Sequence, residues 1–274
     1  MIPLDFSYNR PDTLAELKQT LTRLSGQDFR YYAGGSEIIT MTRTGSIAPD
    51  AVIDIKNIPE CSQLMFRGDE LYIGGAVTLS EIAGSGLFPM MGTTVSRIAD
   101  HTNQCRITVA GNLCGTIFYR EAALPLLIAD AKVHLWRDGK TRTQRYQSPF
   151  AHAANDLVLG FSVPKANLAW PYFHIKRTRA DKIDYPLLTV TASYAADWLR
   201  IAISGVCNFP FRAADMERIA INKSISIPRR VDQMCDALPA DVIDDLLGSA
   251  EFRIATLKNV LLQILSDWEA LYAA

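Results

Sequence analysis

The sequence predicts an α+β protein, and three observations carry that prediction. Short β-type runs alternate with helix-type runs through the first 164 residues. A proline-bearing stretch, "PKANLAWP" at 164–171, then interrupts the pattern. Beyond it three consecutive strand-type runs are followed by helices, the order expected when helices cover an antiparallel sheet. The reading is a domain over 1–164, divided into subdomains of about 1–55 and 56–164, and a C-terminal domain over 168–274 built on a three-stranded antiparallel sheet.

Each element has a local reason. Thr13 and Glu16 stand in a capping-box pattern, and Leu14, Leu17, Leu21 and Leu24 follow at helical spacing. "FRYYA" and "AVIDI" read as strands. "LYIGGAV" is a third strand, ending at a second capping box, Thr78 to Glu81. Residues 90–100 read as helix. "EAALPLLIAD" (121–130) is an apolar helix that accommodates Pro125 only near its first turn. "KVHLW" and "LVLGFSV" complete this part as strands. "YFHIKR", "LLTVTASYA" and "LRIAISGV" form the later sheet, with helices near 211–221, 230–238 and 240–248. A final helix over 251–272 carries a stripe of Leu257, Val260, Leu261, Ile264, Leu265, Trp268 and Leu271.

Composition narrows the function. A net charge of −1 provides no basic field for a nucleic-acid backbone. No apolar run reaches the 18 residues of a membrane span, and "LPLLIAD" is broken by Asp130. The start, "MIPLDFSYNRPD", lacks the regions of a signal peptide. Five dispersed cysteines fit reduced thiols, so a cytoplasmic location is expected. No Walker loop, G-x-G-x-x-G or zinc-helix motif occurs, and no cysteine spacing fits an iron–sulfur cluster. The four histidines, His101, His134, His152 and His174, are spread too widely to suggest a metal site.

Two glycine-bearing segments remain. The first is Ala33, Gly34, Gly35, Ser36, Glu37 and Ile38; the second runs Thr108, Val109, Ala110, Gly111, Asn112, Leu113, Cys114 and Gly115. Glycine allows positive φ and close approach to the backbone, and successive exposed amides make an anion-binding concavity. Ser36 and Thr108 add hydroxyls, and Asn112 both donates and accepts. Taken singly, either segment is also an ordinary turn. Lys176, Arg177, Arg179 and Lys182 form a basic run that meets either a ligand, a partner or solvent.

The order of these features resembles a known family. "FSYNRPDTLAEL", "AGGSEI", "TVAGNLCG" and an apolar helix ending "LLIADA" follow one another along the chain. This set is similar to the flavin-binding subunit, or medium chain, of the molybdenum hydroxylases, a family that includes xanthine dehydrogenase and carbon monoxide dehydrogenase flavoproteins. The family patterns are F-x-Y-x-R-P-x-(S/T)-L, A-G-G-T-D-L, T-I-G-G-N and a Ser-Asp pair before a helix ending L-D-A. "YFHIKRTRADKIDYPLLTVTASY" resembles the start of the family's C-terminal domain.

The resemblance implies a two-subdomain FAD-binding domain of the PCMH type followed by a C-terminal α+β domain. It implies FAD as cofactor, with the diphosphate held by the amides of 33–38 and faced by 108–115. Glu121 falls at the family's aspartate near the polar chain of the flavin; Val158 and His174 fall near positions packing around the isoalloxazine. It further implies a molybdopterin-containing large subunit and a [2Fe–2S] small subunit as partners. Electrons then pass through FAD to NAD⁺ or another acceptor, and no residue of this chain acts as acid, base or nucleophile. The departures are Ser36-Glu37 for Thr-Asp, Ala110 for the first glycine of G-G-N, and the bulky Phe118, Tyr119 and Arg120 before Glu121. They leave open an FAD-free assembly subunit. A stand-alone flavin oxidoreductase, as in the vanillyl-alcohol oxidase group, is the other alternative, which the "YFHIKR" segment disfavours.

Overall fold

A computed structural model describes residues 5–150, 153, 155–181 and 184–272; His152 and Lys182 lie outside them. The chain opens β1 (Ser7–Asn9), α1 (Leu14–Arg23), β2 (Phe29–Tyr32), α2 (Ser36–Thr44), β3 (Ala51–Asp54). There follow α3 (Pro59–Ser62), β4 (Leu64–Arg67), β5 (Glu70–Gly74), α4 (Leu79–Ser85), α5 (Pro89–Val95) and α6 (His101–Gln104). Then come α7 (Val109–Cys114), α8 (Ala123–Ile128), β6 (Lys132–Arg137), β7 (Lys140–Arg145) and β8 (Leu157–Pro164). The last part is β9 (Tyr172–Thr178), β10 (Pro186–Tyr194), β11 (Leu199–Ser204), β12 (Phe211–Arg212), α9 (Ala214–Ala220), α10 (Ile227–Asp236) and α11 (Ala250–Leu271).

Three sheets organise these elements among the described residues. A parallel sheet has the order β1-β3-β2, and a five-stranded antiparallel sheet the order β4-β5-β8-β6-β7. The third sheet is four-stranded, β12-β11-β10-β9, because the short β12 pairs with β11 ahead of α9. The expected three strands therefore become four.

The central strand β8 joins two cores. Leu157 and Leu159 pack with Leu17, Ile53 and Trp136 beside the parallel sheet. Val158, Phe161 and Val163 belong to the core shared with α4, α5, α7 and α8. A register shift between β6 and β8 beside Gly160 moves the alternation from one face to the other, as one extra residue in a strand must. The third core lies between the C-terminal sheet and its helices. On β10, Leu188, Val190 and Ala192 face that core, whereas Thr189, Thr191 and Ser193 face the opposite side, where their hydroxyls bond Glu121, His174 and the Pro171 carbonyl. The two-residue period of a strand thus gives β10 one apolar and one polar buried face.

The capping box at Thr78 forms as expected, and Thr13 caps α1 by accepting from the Glu16 amide. Six of the α11 stripe residues are buried, but Leu271 is exposed at the helix end. At about 1.5–3 kcal/mol each, those six contribute on the order of 10 kcal/mol. Two expected helices differ. The one near 90–100 stops at Val95, and Ala99 then takes a positive φ. Residues 240–248 form a turn instead of a helix. There Asp245 accepts from the Leu247 and Gly248 amides and pairs with the fully buried Arg253 guanidinium at 2.6 Å. These side-chain bonds compete with helical ones.

Candidate functional site

The first glycine segment is the start of a helix. β2 ends at Tyr32, and Gly35 serves as N-cap of α2 with φ +70°, a conformation glycine adopts without strain. The Tyr32 ring occupies the place a Gly35 side chain would need. Gly34 has a different reason: a Cβ there would overlap the carbonyl oxygen of Arg106. The glycine pair therefore lets the turn at 33–35 rest on the backbone just before the second segment. Lys56 holds the same turn from the other side, donating to the Ala33 carbonyl at 3.1 Å and to Asp54 at 2.8 Å. Burial works to raise the Asp54 pKa, but hydrogen bonds from Lys56 and Tyr8 bring it below the usual carboxylate value.

The second segment is also helical, not an open loop. Thr108 caps α7 by accepting from the Gly111 amide at 3.2 Å. Asn112 Oδ1 accepts from the Ala122 amide at 3.2 Å, which ties α7 to the approach of α8. The two segments meet again at Glu37, whose carboxylate accepts from the amide of Thr116 at 2.8 Å and from its hydroxyl. Gly115 is small where that carboxylate lies.

Between the segments runs a cleft of about 1500 Å³. Residues 33–38, Thr108, Ala110, Gly111, Asn112, Cys114, Gly115, Glu121 and Val158 line it. Two expected residues do not. Leu113 is 1% exposed and points into the core of the five-stranded sheet. His174 sits behind the wall, where its Nδ1 meets Thr191 at 2.9 Å and Nε2 has no partner among the described residues. Desolvation, reinforced by the charges of Arg97 and Lys176, lowers its pKa to about 4, so it is neutral at physiological pH.

Glu121 lies just ahead of α8 and is 4% exposed. It accepts from Thr189 at 2.6 Å and pairs with Lys176 at 3.2 Å, while Lys176 also donates to the Arg97 carbonyl at 2.6 Å. Burial raises the Glu121 pKa, against the opposing pull of Lys176 and Thr189. This network joins the cleft wall to β9 and β10. Of the basic run, Lys176 lines the cleft, whereas Arg177 reaches Gln263 and Arg179 reaches the Leu246 carbonyl.

Sequence reasoning missed part of the cleft lining, though it marked Tyr119 as a bulky departure. Leu21, Leu24, Phe29, Met41 and Ile47 also line the cleft, and the sequence marks none of them as a ligand contact. Elsewhere on the wall Tyr119 and Tyr185 stack with centroids 5.4 Å apart, and Tyr185 is 58% exposed. With helix starts and apolar and aromatic side chains in one lining, the cleft can receive a ligand that has both an anionic part and apolar or aromatic parts.

Residues 4–166 match the family model described as the FAD binding domain in molybdopterin dehydrogenase. The chain belongs to this family. The carbon monoxide dehydrogenase medium chain of Afipia carboxidovorans is 31% identical over 269 residues, which span 92% of this chain and 93% of that one. The xanthine dehydrogenase FAD-binding subunit of Escherichia coli O157:H7 is 23% identical over 288 residues, covering 95% of each chain. Among solved structures, quinoline 2-oxidoreductase from Pseudomonas putida 86 superposes with a TM-score of 0.83 at 20% identity over 97% of both chains. Reconstituted CO dehydrogenase from Oligotropha carboxidovorans does so with a TM-score of 0.81 at 24% identity, covering 96% of this chain and 97% of that one. These likenesses show a shared fold.

The family assigns this chain FAD as cofactor and places it among oxidoreductase subunits. The cleft agrees with that group in the chemistry of its walls. Ala110 lines the cleft but is 7% exposed, and its methyl takes the space a side chain at Gly75 would need. No helix of the described residues is long and apolar enough to cross a membrane.

Proposed function

We propose that the chain is the electron outlet of a molybdenum hydroxylase or dehydrogenase complex. In this reading a molybdopterin-containing large subunit oxidises the substrate, and a small subunit with [2Fe–2S] clusters relays electrons to the FAD held here. NAD⁺ or another acceptor takes them onward. Its FAD-binding unit is residues 1–164 and its C-terminal unit 168–274. The observation carrying this reading is that both glycine segments line one cleft beside two helix N-termini.

FAD supplies the redox chemistry when bound. The protein's part is to bind, orient and shield. The first amides of α2 lack intrahelical acceptors and suit a diphosphate, favoured by the helix dipole. Gly111 and Asn112 stand on the facing helix. The exposed face of Tyr185 offers a stacking surface for an aromatic ring. The Lys176–Glu121 pair fixes β9 against the wall rather than moving a proton.

The match to an FAD-binding family model supports FAD binding over an FAD-free assembly subunit. The visible spectrum of the purified protein tests that choice. Flavin absorption that leaves with released FAD after denaturation is expected; a protein that stays colourless with added FAD points to the assembly subunit. Co-purification from the native host at natural expression tests the complex. Recovery only as a lone flavoprotein oxidising an organic donor would contradict it.

A further inference from the structure

Three cationic residues line the cleft: Arg30, Arg120 and Lys176. Arg30 is paired with Asp28, and Lys176 with Glu121. Arg120 has no carboxylate partner among the described residues. Its guanidinium is held by carbonyls alone: Nε donates to Gly115 at 3.1 Å and to Ile117 at 3.2 Å, and Nη2 donates to Gly115 at 2.8 Å. The residue keeps a positive φ of 40° to do so. A cation fixed this way, with donors remaining and no counter-charge, is prepared for an anion.

Its position identifies the anion. Gly115, which Arg120 grips, lies against the Glu37 carboxylate, and Glu37 belongs to the first turn of α2. Arg120 therefore adjoins the helix start, whose residues Ser36, Glu37 and Ile38 line the cleft. The Glu37 charge is engaged by Thr116. A diphosphate entering beside that carboxylate would be repelled by it unless a cation offset the field. We propose that Arg120 is a diphosphate-recognition residue, which offsets Glu37 and discriminates in favour of the dinucleotide form of the flavin over forms without phosphate. The inference rests on the proposed seating of the FAD diphosphate at α2. The family pattern given by the resemblance has a Ser-Asp pair where this chain has Arg120 and Glu121.

The experiment titrates the full-length apo-protein with FAD and with riboflavin, which lacks phosphate. Arg120→Gln should weaken FAD binding about tenfold or more, the effect of losing a charged hydrogen-bond donor. Riboflavin affinity should stay unchanged, and Arg120→Lys should restore most of the FAD affinity. The wild-type preference for FAD should also shrink as salt rises, a readout that needs no variant. Equal weakening of both ligands, unchanged FAD affinity in Arg120→Gln, or a salt-independent preference would each overturn the proposal. A wild-type protein that binds riboflavin but gains nothing from the diphosphate would overturn it too, leaving flavin binding intact. One that binds neither would overturn the FAD reading itself.

Discussion

Gly34→Ala separates two reasons for a glycine pair. If the residue serves the ligand, the variant folds normally and loses FAD. If it serves the backbone, the fold itself weakens. The geometry supports the second, since the added Cβ would overlap the Arg106 carbonyl oxygen. That carbonyl cannot easily move. The next residue, Ile107, donates its amide to Asn103 at 2.8 Å and accepts from Leu79 at 2.9 Å, and Thr108 then caps α7. Overpacking typically costs 1–3 kcal/mol, and a rigid backbone neighbour places this case near the top, at about 3 kcal/mol. For a chain of this size that lowers Tm by roughly 6–12 °C. Gly26→Ala is the control: φ is +84° and nothing lies within 4 Å, so only left-handed strain of about 1–2 kcal/mol applies. The assay is thermal unfolding without FAD, followed by FAD titration of the folded variants. A Gly34→Ala protein no less stable than Gly26→Ala would refute the backbone argument. If such a protein also lost FAD, the diphosphate would be the neighbour Gly34 accommodates.

Three further outcomes are expected. Glu121→Gln leaves Lys176 buried without its counter-charge and should cost about 3–5 kcal/mol in chemical denaturation, more than the roughly 1–3 kcal/mol for Asn112→Leu, which orphans only the Ala122 amide; the reverse order would show the ion pair to be dispensable. Because folding depresses the His174 pKa from 6.5 to about 4, its contribution is present above pH 6.5 and lost as pH falls toward 4, an effect of at most about 3 kcal/mol. His174→Asn should therefore flatten the stability profile over that interval, and an unchanged acid limb would assign the loss to other groups. Asn112→Asp retains the acceptor for the Ala122 amide, so its Tm should lie close to wild type and well above that of Asn112→Leu; equal losses would remove that hydrogen bond as the reason.

What could be read in advance follows the range of the forces involved. Thr78 and Glu81 satisfy each other three residues apart, so the capping box is visible in the sequence and present in the fold. β10 announces itself because apolar and hydroxyl residues alternate from Leu188 to Ser193. The turn at 240–248 does not, since Asp245 is held by Arg253, itself anchored on the carbonyls of Leu187 and Gly205. The site divides in the same way. That Gly34 needs room is evident from its type and setting; that the room is taken by Arg106 depends on a contact 72 positions away. His174 shares a stretch with Lys176, yet its ring bonds Thr191 behind the wall while Lys176 reaches the cleft. Glu121 carries the point furthest. Its acidity and place before an apolar helix suggest a ligand contact, and it does line the cleft, but its oxygens are held by Thr189 and Lys176 from the C-terminal sheet. A carboxylate engaged on both oxygens orients the wall more than it recognises a ligand. On the proposal made for Arg120, recognition in this part of the cleft would fall to the groups left with donors to spare, the α2 amides and that guanidinium, and the departure from the family's Ser-Asp pair would relocate a binding function instead of erasing it.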